Sequence, residues 1–337
     1  MSTDMSSDTF ADFRSNFPGT SEGVFTNVAQ RGLMPVQVQD AITAYLGRRT
    51  GLGWRKEESF DLVEGTRVTF ANLVNAAPDE IAFLKNVSDG MNHIASGIVW
   101  NAGDNVVMCP ELEHPANVNP WYNAARRYGV EVRTVAPNDG FLDLDTLMAA
   151  VDERTRVVSV STVTFSPGFI TDVAAIADAC RGHNARVVVD AAQSIGILDT
   201  DVEALGIDAF AVATQKGLLS CYGMGFLYCR EEYAEEMVPA ALARFSVTLE
   251  EGAHETALTG KDFKYAPAEA LRRRQLQLLG DHRREGGPRS TEPVGDPGHR
   301  RVRSPLGGTF GGGFPRDGAS RVRGKSGAAP RQHRRTG

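Results

Sequence analysis

Two side chains in this sequence have the types and spacing that carbanion chemistry needs. Asp190 closes the apolar run Val187-Val188-Val189, and Lys216 follows the next such run, Asp208 to Ala213. A carboxylate at the end of a buried strand can hold the proton on a pyridine nitrogen, and a lysine amine can form a Schiff base with an aldehyde. Pyridoxal phosphate (PLP) carries both partners, and its ring withdraws electrons from a substrate only while that nitrogen stays protonated. Taken singly, Asp190 could cap a helix and Lys216 could be a surface lysine. Their neighbours decide between these readings.

The elements that would position them are short apolar runs alternating with amphipathic stretches. The runs at 81–84, 105–109, 130–135, 156–161, 186–189, 208–213 and 225–229 are rich in Val, Ile, Phe and Ala and read as buried strands. Between most of them lie helix candidates such as 142–151 and 172–180, and two more, 34–49 and 56–75, precede the sheet. This alternation predicts an α/β domain with a mostly parallel sheet covered by helices on both faces. In such sheets ligands bind beyond the carboxyl ends of the strands.

Polar residues at those ends extend the chemistry. After the first strand comes Asn86-Val87-Ser88-Asp89-Gly90, where Ser88 could begin a helix whose free N–H groups and dipole suit a phosphate. After the second comes Glu113-His114-Pro115-Ala116-Asn117, where His114 could stack on a flat ring and relay a proton. An ordinary helix cap and a loop histidine are the plainer readings of these two segments. Ser88, His114, Asp190 and Lys216 nevertheless all fall on one predicted sheet edge.

Composition bounds the rest. The 337 residues are 42% hydrophobic and 23% charged with a formal charge of −6, ordinary for a soluble globular chain and unattractive to nucleic acid or anionic membrane. The first residues are polar and acidic, no membrane-length apolar run occurs, and Cys109, Cys180, Cys221 and Cys229 form no paired motif. A reducing, cytoplasmic setting is therefore expected. Beyond residue 270 the character changes: 15 Arg and one Lys face five acidic residues, about +11 against −17 for the preceding part. Such an Arg/Gly/Pro-rich stretch is expected to be disordered, and the same composition arises when a G+C-rich gene is read out of frame. Its Gly318 to Ser326 segment imitates a phosphate-binding loop, but with five residues between the glycines and no strand before it.

The segments Glu113-His114-Pro115-Ala116-Asn117, Ser161 to Gly168, Asp190-Ala191-Ala192-Gln193-Ser194 and Lys216 to Gly225 together resemble class V aminotransferases, the PLP-dependent fold type I family that includes cysteine desulfurases, selenocysteine lyases and isopenicillin N epimerase-like proteins. The resemblance runs from about Phe25 to about Ala268. It implies that Lys216 carries the Schiff base, Asp190 holds the pyridinium, Gln193 bonds the ring oxygen and His114 stacks on the ring. It further implies that Ser88, with the Asp89 and Gly90 backbone, cups the phosphate, aided by Thr214 or Gln215 where desulfurase-like members carry Ser and His. The implied enzyme acts on a small amino acid by transamination, racemisation or elimination, as a homodimer; a cysteine desulfurase or selenocysteine lyase and an inactive remnant are the alternatives.

The chain departs from the family at Phe165, where some members place an asparagine, at Ser220-Cys221-Tyr222-Gly223, where Gly-Pro is usual, and beyond Leu271. A desulfurase takes sulfur on a mobile thiolate, and no cysteine follows Cys229. The expected organisation is an N-terminal segment at 1–20, a PLP-binding large domain at 21–250, the start of a small domain at 251–270 and the basic stretch at 271–337.

Overall fold

A computed structural model of the chain describes residues 7–52 and 55–240; the expected start of a small domain and the basic stretch lie outside them. In chain order the elements are α1 (Ser7–Ser15), α2 (Val36–Arg49), α3 (Lys56–Val74), β1 (Ile81–Leu84), α4 (Val87–Gly97), β2 (Asn105–Met108), α5 (Pro115–Tyr128) and β3 (Glu131–Thr134). They continue with α6 (Leu144–Met148), β4 (Thr155–Ser161), α7 (Val173–Cys180), β5 (Arg186–Asp190), α8 (Val202–Leu205), β6 (Ala209–Ala213), β7 (Gly225–Cys229) and α9 (Glu231–Glu235). Each strand read from the sequence is present to within a residue or two.

The strands form one sheet in the order β1-β7-β6-β5-β4-β2-β3. Neighbours from β3 to β6 pair in parallel, while β7 runs antiparallel to both β6 and β1. A parallel partner needs a crossover, usually a helix. Between β6 and β7 there are only the residues 214–224, tied into a turn by Thr214 N–H to Met224 O at 3.0 Å and Ser220 N–H to Thr214 O at 2.9 Å. With no crossover, β7 has to reverse. The carboxyl ends of β1, β2, β4, β5 and β6 still share one edge.

Alternation along the strands builds two cores. Phe210 and Val212 of β6, with Val187 and Val189 of β5, join Phe70 of α3, Leu147 of α6 and Ile176 of α7. The intervening Ala209, Ala211 and Ala213, with Val188, join Met91 and Ile94 of α4 and Val118, Trp121 and Ala124 of α5. The period-two pattern thus sends each strand's residues to opposite helix layers. Helix starts are capped as their sequences suggest: Asp143 accepts from Thr146 N–H and Asp172 from Ala175 N–H. By contrast, α2 has no buried residues.

Candidate active site

Asp190 ends β5 on the α4/α5 side of the sheet. Its register partners are Ser161 of β4 and Ala211 of β6. The residue is 5% exposed, and among the described residues its carboxylate takes one hydrogen bond, from Ala192 N–H to Oδ1 at 2.9 Å. Burial pushes the Asp190 carboxyl up, while the charges of Lys216 and His114 oppose that rise. The turn behind it is locked by Thr162 Oγ1, which donates to Ser194 Oγ at 2.7 Å. A buried carboxylate with so few donors is undersatisfied, and a protonated ring nitrogen would supply a further one.

Lys216 follows β6 in the turn that reverses the chain, and it is half-buried. Burial lowers its ammonium from the usual lysine range, and the Asp190 charge acts the other way. The turn lies against the loop after β5 backbone to backbone: a Cβ on Gly217 would strike Ile195 O, and one on Gly196, at φ +88°, would strike Gly217 O. Only glycines allow this approach. Both loops that carry the expected catalytic pair are thereby held in one body.

His114 is the N-cap of α5, and its Nδ1 accepts from Ala116 N–H at 3.1 Å. The ring is exposed and meets Phe165 edge-on, with centroids 4.9 Å apart and planes at 78°. Phe165 N–H donates to Leu112 O at 2.9 Å, so the segment after β4 is sewn to the loop bearing His114. Gln193 Nε2 donates to Ala29 O at 2.9 Å, and Gly32 N–H donates to Gln215 O at 2.7 Å. These two bonds bring residues 29–32 to the same edge, a placement that the sequence did not announce.

The phosphate end differs in detail from expectation. The cap of α4 is Asn86, whose Oδ1 accepts from Asp89 N–H at 2.9 Å, and Gly90 N–H reaches Asn86 O at 3.3 Å. Ser88 therefore sits inside the first turn, exposed, and the N–H groups of Val87 and Ser88 are the ones that intrahelical bonding leaves over. Thr214 Oγ1 is engaged by the turn, toward Cys221 O at 2.7 Å and Met224 O at 3.1 Å. Gln215 is half-buried beside it. Gly90 brings α4 down onto β6, since a Cβ there would lie 2.6 Å from Ala211 Cβ and 2.5 Å from Leu84 Cδ1. The donor set at this end is a helix start against the sheet edge, which suits a phosphate.

Sequence reasoning quoted Glu113 and Asn117 without giving them a role. Glu113, 7% exposed, accepts from Asn117 Nδ2 and Ser161 N–H at 2.8 Å each, and from Ser161 Oγ. The available signal was Val-Val-Ser-Val-Ser in β4, which places Ser159 and Ser161 on the face opposite Val158 and Val160. Among the described residues no cluster could hold a metal ion, and no helix is long and apolar enough to cross a membrane.

Residues 32–265 match the family model described as Aminotransferase class-V. The chain belongs to the class-V aminotransferase family. Members of this family work with PLP, and the buried Asp190, the lysine turn and the start of α4 fit that group at its ring nitrogen, aldehyde and phosphate. A probable cysteine desulfurase of Methanothermobacter thermautotrophicus is 36% identical over 237 residues, 68% of this chain and 59% of that protein. An uncharacterised aminotransferase of Bacillus subtilis is 30% identical, covering 69% of this chain and 62% of that one. The chain thus spans roughly three fifths of these relatives. Among solved structures, a cysteine desulfurase of Thermococcus onnurineus superposes with a TM-score of 0.69 at 27% identity, covering 80% of this chain and 66% of that one. A cystine C–S lyase in complex with cysteine persulfide gives 0.66 at 26%, covering 78% and 73%. The architecture of the described residues is that of PLP fold type I.

Proposed function

We propose that this class-V aminotransferase relative is a PLP-dependent enzyme that breaks the carbon–sulfur bond of cysteine or a cysteine derivative. The observation that carries the reading is Asp190, a buried carboxylate at a strand end with one hydrogen bond, whose loop meets the Lys216 turn backbone to backbone at Gly196 and Gly217. The choice of substrate is supported by the names of the similar proteins, several cysteine desulfurases and a cystine C–S lyase. A broader transamination or racemisation draws on the same Asp190, Lys216 and His114.

Bound PLP supplies an electron sink conjugated to the substrate Cα. Asp190 keeps the proton on the ring nitrogen by charge, and burial strengthens that pairing by excluding water. His114, held at the α5 cap, would pack against the ring of the cofactor and help to orient it. Lys216 Nζ would hold the cofactor at its aldehyde and would be the base placed to take a proton from the substrate Cα. Burial favours the neutral amine that this step requires. Val87 and Ser88 N–H hold the phosphate by the helix start. A homodimer and a cytoplasmic setting belong to the same proposal; the lack of any buried residue in α2 supports the first, and four cysteines without a paired motif support the second.

The test is uptake of PLP by the full chain. A visible band should appear, borohydride should fix the cofactor to the peptide containing Lys216, and cysteine or cystine should then release sulfide or persulfide. Lys216→Ala should lose the band and at least about 1,000-fold in rate, the scale expected when a covalent and acid–base group is removed. A wild-type chain with no band is an inactive remnant. Cys221 is the cysteine among the described residues that is not buried, so Cys221→Ala separates the two sulfur chemistries. Retained persulfide formation from cystine marks a lyase, whereas its loss with cysteine marks transfer through the protein thiol.

A further inference from the structure

A one-directional chain of hydrogen bonds runs beneath His114. It starts at Trp121 Nε1, which can only donate, and which donates to Ser159 Oγ at 2.9 Å. Ser159 in turn gives its proton to Asn117 Oδ1 at 2.9 Å. That contact fixes which way the Asn117 amide faces, so Nδ2 is the atom that donates to Glu113 Oε2 at 2.8 Å. Ser161 N–H donates to Glu113 Oε1 at 2.8 Å, and the Ser161 hydroxyl donates to Oε2. Trp121, Ser159 and Asn117 are 0% exposed and Ser161 3%, so water cannot replace any of these partners. Three donors converge on the two oxygens of Glu113.

We propose that Glu113 is a positioning residue for His114: it is the acceptor in which the chain from Trp121 ends, and it pins the start of α5 to β4. His114 lies between two members of that chain in sequence, and its own carbonyl accepts from Asn117 N–H at 2.8 Å. The loop that aims its ring is therefore fixed on both sides. A glutamine in place of Glu113 has the same shape but one acceptor. Whichever way its amide turns, an NH2 group faces either the Asn117 NH2 or the Ser161 N–H, leaving buried donors opposed. Burial and the nearby Asp190 charge push the Glu113 carboxyl up to about 7, so the site keeps a carboxyl where burial disfavours its charged form. Such a residue is unexplained by packing alone.

The inference rests on the PLP reading for its purpose but is measurable without cofactor. In the PLP-free full chain, Glu113→Gln should raise deuterium uptake in the peptide spanning residues 110–121. In PLP titrations it should weaken binding by about tenfold or more, the equivalent of one buried unmatched donor. The double variant Glu113→Gln/Asn117→Asp exchanges the amide and the carboxylate between the two positions. The introduced amide then donates to the introduced carboxylate and to the Ser161 hydroxyl, while that carboxylate still accepts from Ser159. The double variant should recover PLP affinity to within about threefold of wild type, whereas a residue needed for its charge at position 113 would stay impaired. In a His114→Ala background, Glu113→Gln should add little further loss.

Unchanged exchange and affinity in Glu113→Gln, a double variant no better than the single one, or full additivity with His114→Ala would each overturn the proposal. Where Glu113→Gln alone does not fold, the double variant is compared directly with His114→Ala. Wild-type-like affinity then supports the proposal, and affinity like that of His114→Ala rejects it. A wild-type chain that binds no PLP defeats the functional reading, and the exchange comparison still decides whether Glu113 holds the loop.

Discussion

Asp190 and Glu113 are two buried carboxyls at one edge of the sheet, and they divide the electrostatic work unequally. Burial raises both; at Asp190 the Lys216 charge opposes the rise, whereas at Glu113 the Asp190 charge adds to it. Because the Glu113 carboxyl is raised from 4.5 to about 7, the folded state holds its proton more tightly than the unfolded chain does. Its contribution to stability is full below about 4.5 and is lost as pH rises through about 7. Urea midpoints of wild type and Glu113→Gln, measured from about pH 4.5 to about pH 8, should therefore shift against wild type as pH rises, by on the order of 3 kcal/mol at most. A difference that grows in favour of wild type over that window contradicts the sign. That Asp190, Lys216 and His114 fall on one edge of the sheet was legible in the sequence, because each is a lone reactive group in or after the end of an apolar run. Glu113 was not, because its partner Ser161 lies 48 residues away, and Ser159, which orients Asn117, lies 46 away; neither means anything until β4 lies beside α5.

At the scale of elements, the seat of α4 decides how well a phosphate can be held. Ala209, Ala211 and Ala213 keep that side of β6 flat, and Gly90 lets the helix come down on it. Replacing Gly90 by Ala gains about 1 kcal/mol of helix propensity, yet overpacking costs about 1–3 kcal/mol. The clash should win, since Leu84 Cδ1 can rotate aside whereas Ala211 Cβ, fixed to the strand, cannot. Gly90→Ala should lower stability by about 1–2 kcal/mol in a denaturation curve and weaken PLP binding with it. An unchanged midpoint would show that α4 can lift without cost. The strand positions were readable from their β-branched runs; the reversal of β7 was not read, and it follows from the absence of a crossover helix in residues 214–224. The cap at Asn86 was not distinguished from Ser88, since both residue types cap helices equally well.

At the scale of the whole molecule, the class-V architecture followed from alternation and strand-end motifs, but the choice of reaction did not, because every chemistry of the family uses the same edge of the sheet. The described part ends at residue 240, and the chain spans about three fifths of its relatives. The pairing of β1 has a consequence for biosynthesis. Its ladder partner is β7, with Ile81 opposite Tyr228 and Leu84 opposite Gly225, so the first strand made waits for the last. Throughout synthesis of some 140 residues, β1 has an open hydrogen-bonding edge and a bare apolar side. Ribosome-bound chains stopped at residue 200 should be cut by protease around residues 81–97, and chains extended past residue 270 should resist. Early resistance would mean that α3 and α4 shelter the strand before its partner exists. The same delay applies to residues 29–32, whose bonds to Gln193 and Gln215 close loops of similar or greater length. The cofactor pocket is thus among the last parts of the protein to acquire a shape, and a newborn chain has nowhere to put PLP until the sheet has closed on its own beginning.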